Sequence, residues 1–168
     1  LMIEKEASSL RSAALCILEV GGAFGHRFKE LIEFLGITTL IITDIDSVTA
    51  AAEPSADVED EDEEVEFEVP NDVIGEAPAK RYGKTCLPAE NGAVTSNQTL
   101  IQWLPRMRTI VELLAADAAV KVEDLAGSEP SKVRVAYQVA TGVEWADTTT
   151  SLCGRTLEEA FGLENAEW

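Results

Sequence analysis

The chain has 168 residues, 46% hydrophobic and 26% charged, with a formal net charge of −18. That balance fits one soluble globular domain with a real core and leaves no apolar run near the roughly 20 residues that cross a bilayer. A single histidine, His26, excludes a histidine-rich metal site, and three cysteines without Cys-x-x-Cys spacing exclude a disulfide framework or zinc site, as expected of reduced thiols in a cytoplasmic protein.

Residues 1–11 read as the end of a helix, with Glu4, Lys5 and Glu6 breaking any secretory leader. "ALCILEV" (14–20) is a short apolar run closed by Gly21-Gly22, which predicts a strand and a turn. "HRFKELIEFLG" (26–36) sets Phe28, Leu31, Ile32 and Leu35 at helical spacing, with Gly36 where a C-cap belongs. "TTLIITD" (38–44) predicts a second buried strand, and strand, helix, strand with short links predicts a βαβ unit with parallel pairing.

From 49 to 94 the pattern breaks into a long insertion holding Pro70, Pro78 and Pro88 and a basic cluster at Lys80, Arg81 and Lys84. Ten of the sixteen residues from Glu53 to Glu68 are acidic, so this stretch carries more than half of the negative excess. Such a run stays solvated, because like charges repel and little apolar surface is available to bury. At most one hairpin is expected there, around "VEFEV". Helical pattern resumes at "SNQTLIQWL" (96–104) with Ser96 or Asn97 as N-cap, stops at Pro105, and returns at "RTIVELLA" (108–115). "KVRVAYQVA" (132–140) alternates like a strand, and "GRTLEEAFG" (154–162) opens a helix with a capping-box spacing from Thr156 to Glu159.

The chemistry concentrates at "TLIITDIDSV", where an apolar strand runs into Asp44 and Asp46. Carboxylates at a rigid strand end are hard-oxygen ligands suited to Mg²⁺ or Mn²⁺, and magnesium held by one or two carboxylates keeps room for phosphate oxygens. Asp also favours turns for its own sake, so plain turn capping stays an alternative. Gly21, Gly22 and Gly25 before a helix suggest a dinucleotide turn, but "GGAFG" is not Gly-x-Gly-x-x-Gly. "DIDSV" also fits the Asp-x-Asp-x-Val of haloacid dehalogenase-type aspartyl phosphatases, although there the motif follows the first strand.

"ILEVGGAFGHRFKELIEFLGITTLIITDIDSV", then "TSNQTLIQWLP" and "GRTLEEAF", resemble the Toprim domain of the OLD (overcoming lysogenisation defect) family of ATP-dependent endonucleases, over roughly a third of the chain. The resemblance implies an α/β fold, Toprim-like, with a parallel sheet, flanking helices and the acidic insertion, as a single domain over 1–168. It implies metal-dependent cleavage of DNA phosphodiesters with one or two Mg²⁺ or Mn²⁺ ions, DNA as partner, no membrane, and compatibility with a homodimer. Asp44 and Asp46 match the Asp-x-Asp ligands, Ser47 the residue beside them, Gly21 and Gly22 the turn next to the metal, and Glu158 or Glu159 an assistant to a second metal. Thr95, Ser96 and Asn97 match a polar segment after the insertion; with Lys80, Arg81 and Lys84 they are candidate substrate contacts. Arg106 and Arg108 are further candidates for the DNA backbone. A non-catalytic module of the same shape is the remaining alternative.

The family's Glu-Gly motif has no counterpart, since Glu4 and Glu6 lack a following glycine, and its late lysine would fall beyond Trp168. The expectation is a piece truncated at both ends, with an ATPase domain upstream through which alone ATP would act. Such a piece should bind metal weakly and cut poorly.

Overall fold

The computed structural model describes residues 14–50, 83–125 and 131–165. Its centre is a three-stranded sheet in the order β1-β5-β4, formed by β1 (Thr39–Ile42), β4 (Val122–Leu125) and β5 (Ser131–Ala136). β5 lies between the other two because its alternation suits burial of one whole face, with Ser131, Val133 and Val135 turned inward and Lys132 and Arg134 outward. It pairs parallel with β1, Thr39 opposite Val133, and antiparallel with β4, Val122 opposite Arg134. The fold is therefore α/β with a mixed sheet around one parallel pair.

Helices pack around that sheet. A 3₁₀ helix (Gly22–Phe28) leads into α1 (Lys29–Leu35), which ends at Gly36 in the left-handed conformation at φ 61°, the C-cap that the sequence predicts. α2 (Gln98–Gln102) starts at its N-cap Asn97, and α3 (Ile110–Ala115) starts at a capping box between Thr109 and Glu112. A two-stranded pair, β2 (Ser47–Val48) with β3 (Val94–Thr95), ties the chain after the aspartates to the segment before α2. The core joins Ile45, Leu100, Trp103, Ile110, Leu113, Val133 and Val135, and Tyr137 donates its hydroxyl to the Leu113 carbonyl at 2.9 Å. At its edge the Trp103 indole N–H donates to Glu123 Oε2 at 2.7 Å, and Lys29 lies over the ring.

Several expectations need correcting. Residues 14–20 form no strand: Ile17 is 86% exposed, and no described strand pairs with them. The parallel partner of β1 is β5, about ninety residues later, so the predicted local βαβ unit does not form. An apolar run signals burial, but it does not choose a hydrogen-bonding partner: β1 pairs with "KVRVA" on one side and stays an edge strand on the other among the described residues. β1 is consequently half-exposed, with Leu40 at 58% and Ile42 at 60%, and not the buried strand expected. The strand at 132–140 stops at Ala136, and the helix at 154–162 begins only at Leu157 as α4 (Leu157–Glu164).

The sequence reading also missed β4 and an antiparallel hairpin, β6 (Thr141–Trp145) with β7 (Thr148–Leu152). The hairpin turns on Ala146 and Asp147, at φ 46° and 60°, a conformation usually announced by Asn-Gly or Asp-Gly. The helix end at 1–11 and the hairpin around "VEFEV" lie outside the described residues, as does the whole acidic run. Among the described residues no helix is long and apolar enough to cross a membrane.

Candidate functional site

The parallel ladder continues one residue past β1, where the Thr43 N–H donates to the Ala136 carbonyl at 3.0 Å. Beyond that the two strands part, and side chains replace the ladder. Gln138 accepts the Ile45 N–H on Oε1 at 2.8 Å, standing in for the next backbone carbonyl. Its own Nε2 donates to Asp44 Oδ1 at 2.5 Å. The Leu157 N–H, at the start of α4, donates to the same oxygen at 2.9 Å. Asp44 is thus fixed by residues 94 and 113 positions away in sequence.

Asn97 ties the other side. Its Nδ2 donates to Thr43 Oγ1 and to the Asp44 carbonyl, both at 2.7 Å, while its Oδ1 caps α2 by accepting from Thr99 N and Leu100 N. Thr95 donates its hydroxyl to the Ile45 carbonyl, and Ser96 approaches the Asp46 carbonyl with both its N–H (3.0 Å) and its hydroxyl (3.2 Å). Asp46 is held at φ 46°, a left-handed conformation that Asp and Asn tolerate better than most side chains. The loop 43–47 is thereby locked on three sides before any ligand arrives.

Electrostatically the loop is a charge in need of a counter-charge. Burial, and then the neighbouring Asp44 carboxylate, push the Asp46 carboxyl above its usual range; Arg155 and a hydrogen bond from Asn97 pull the other way. Arg155 also donates Nε to the Ser47 carbonyl at 3.2 Å, which holds its guanidinium beside the loop. A partly desolvated pair of carboxylates is the donor chemistry of a hard divalent cation, and Mg²⁺ needs only one or two protein carboxylates. Asp44 and Asp46 fit that role. Among the described residues they are not joined by a third His, Cys, Asp or Glu in one cluster.

The remaining predicted residues are distributed as follows. Ser47 is fully buried and donates its hydroxyl to the Cys86 carbonyl at 2.6 Å, so it braces the loop from inside. Glu159 accepts the Arg155 N–H at 2.7 Å and so turns back onto the first turn of α4. Thr95 and Asn97 are buried, and only Ser96 of that trio is exposed to a substrate. Gly21 is the N-cap of the 3₁₀ helix, and the turn after Gly22 is bound to α2 through Thr99, whose hydroxyl donates to the Ala23 carbonyl and accepts the His26 N–H, each at 3.1 Å. The glycine that this packing requires is Gly25, where a Cβ would come within 3.1 Å of Thr99 Oγ1 and 3.3 Å of Ile41. Lys84 is exposed, its backbone paired with Thr49, whereas Lys80 and Arg81 lie outside the described residues.

Gln138 and Arg155 are the site residues that sequence reasoning missed. Gln138 falls at an outward position of the alternation, in step with Lys132 and Arg134, so the pattern carries no signal for it; it is buried because the strand ends at Ala136 and the chain leaves the alternation there.

The family model described as "Overcoming lysogenization defect protein-like, TOPRIM domain" matches residues 1–46. That span contains "GGAFG" and ends on Asp46, so both aspartates fall within it. No curated protein and no solved structure matches the chain.

Proposed function

With residues 1–46 carrying the sequence of an OLD-like Toprim domain, we propose that this chain supplies the Asp-x-Asp part of the active site of a divalent-metal-dependent endonuclease that hydrolyses DNA phosphodiesters. The observation that carries the reading is the construction around Asp44 and Asp46. One carboxylate is doubly hydrogen-bonded and the other is partly desolvated, on a loop whose carbonyls from Asp44 to Ser47 all accept hydrogen bonds. Turn capping alone would not call for that much support. The family match also favours this reading over an aspartyl phosphatase, because it spans the glycine turn, the helix and both aspartates in one block.

Asp44 and Asp46 would hold Mg²⁺ or Mn²⁺, which in such sites polarises the phosphate and lowers the pKa of the attacking water. The chain's own residues provide the rest. Gln138, Asn97 and the start of α4 orient Asp44, Ser47 and Thr95 brace the loop beneath it, and Arg155 offers positive charge at the same edge. Exposed Ser96, Lys84, Arg106 and Arg108 are the described candidates for contact with the DNA backbone, which positions the duplex without reading its sequence. Cytoplasmic location and an ATPase domain elsewhere in the parent protein belong to the same proposal.

Plasmid nicking tests it. A longer polypeptide that contains this chain should nick supercoiled DNA with Mg²⁺ or Mn²⁺, and the Asp44→Asn and Asp46→Asn variants should not. Equal nicking by the wild type and both variants would refute the assignment.

A further inference from the structure

Asp44 has two carboxylate oxygens, and the fold treats them differently. Oδ1 receives both Gln138 Nε2 at 2.5 Å and the Leu157 N–H at 2.9 Å, which fills its two lone-pair directions. The Gln138 amide has one possible orientation. Its other end faces the Ile45 N–H at 2.8 Å, a donor, so that atom must be the oxygen and the Asp44 side must be the nitrogen. Gln138 is only 4% exposed, so water does not replace these bonds readily.

A carboxylate that grips a cation with both oxygens must turn both of them toward it. Asp44 cannot do so without breaking two hydrogen bonds, one of them part-buried. We infer that Gln138 is a positioning residue that confines Asp44 to coordination through Oδ2 alone, and thereby biases the site toward a small octahedral cation. Mg²⁺ takes single carboxylate oxygens at about 2.0–2.1 Å in near-ideal octahedra, whereas Ca²⁺ takes six to eight oxygens and readily uses a carboxylate in the two-oxygen mode. Partners that orient a ligand from behind commonly set metal affinity in this way. The inference rests on the metal-site reading above and adds the choice of cation, with Gln138 as the residue that makes it.

The test is Mn²⁺ binding to the whole 168-residue chain, followed by electron paramagnetic resonance, with Mg²⁺ and Ca²⁺ as competitors. Mn²⁺ that remains bound in Asp44→Asn is subtracted. Two variants separate folding from positioning: Gln138→Glu keeps an oxygen for the Ile45 N–H and loses the donor to Asp44, and Gln138→Leu loses both. Both variants should compete with Mg²⁺ roughly 10-fold more weakly, while Ca²⁺ competes as well as before or better. The Mg²⁺-to-Ca²⁺ preference then shifts about 10-fold, a change that a purely structural defect would not produce. If both cations weaken by the same factor, the positioning role is overturned. If the wild type binds no more Mn²⁺ than Asp44→Asn, the metal reading itself is overturned, and that result appears before any Gln138 variant is made.

Discussion

Asn97 is the residue whose removal should loosen the site most. It is fully buried; its side chain accepts two hydrogen bonds as the N-cap of α2 and donates to Thr43 Oγ1 and the Asp44 carbonyl. Asn97→Ala loses the cap, worth about 1 kcal/mol, and two donated bonds, one buried and one part-buried, worth about 1 kcal/mol each. The sum, about 3 kcal/mol, is a large share of the roughly 5–15 kcal/mol that stabilises a domain. Asn97→Ser keeps a capping oxygen and loses the donors, so it should cost about 2 kcal/mol, leaving a gap of about 1 kcal/mol for the cap alone. Urea unfolding in EDTA, followed by the fluorescence of buried Trp103, measures both. A loss below about 1 kcal/mol for Asn97→Ala, or no advantage of Ser over Ala, would refute this account of the loop.

Three further outcomes follow from the same structure. Burial pushes the Tyr137 phenol up to about 12, above the ordinary value of 10.0; the folded state holds that proton more tightly, so this contribution is complete below about pH 10 and is lost as pH rises toward 12. Phenolate absorbance should therefore show a step near the shifted value that is missing in Tyr137→Phe. At buried Gly154 an added Cβ would press within 3 Å of the Ala160 and Glu159 backbone; Gly154→Ala should destabilise by about 1–3 kcal/mol and weaken Mn²⁺ binding by displacing the Leu157 N–H from Asp44. Saturating Mg²⁺ should raise the melting temperature of the wild type and leave that of Asp44→Asn unchanged, because only a cation bound to the folded state shifts the equilibrium.

Local signals read well in this chain. Gly36 at φ 61°, the Asn97 cap and the Thr156 cap stand where short-range rules put them, because each depends on a few neighbouring residues. The two aspartates were legible for the same reason, as a strand signal running straight into acids. What the local pattern could not supply was pairing. "ALCILEV" and "KVRVAYQVA" both look like strands, and which one lies beside β1 depends on contacts across ninety residues. The support for the site was hidden in the same way. Nothing near Asp44 in sequence indicates that Gln138 and the start of α4 hold its carboxylate. β4 and the β6–β7 hairpin escaped because "VEDL" alternates poorly and the Ala146-Asp147 turn lacks the usual glycine.

The central claim is that Asp44 and Asp46 bind a divalent cation. An anomalous-scattering map from crystals grown with Mn²⁺ tests it most directly. The account predicts a peak bonded to Oδ2 of Asp44 and to Asp46, with Gln138 still donating to Oδ1. A map with no peak there, or with manganese only on other carboxylates, would contradict it.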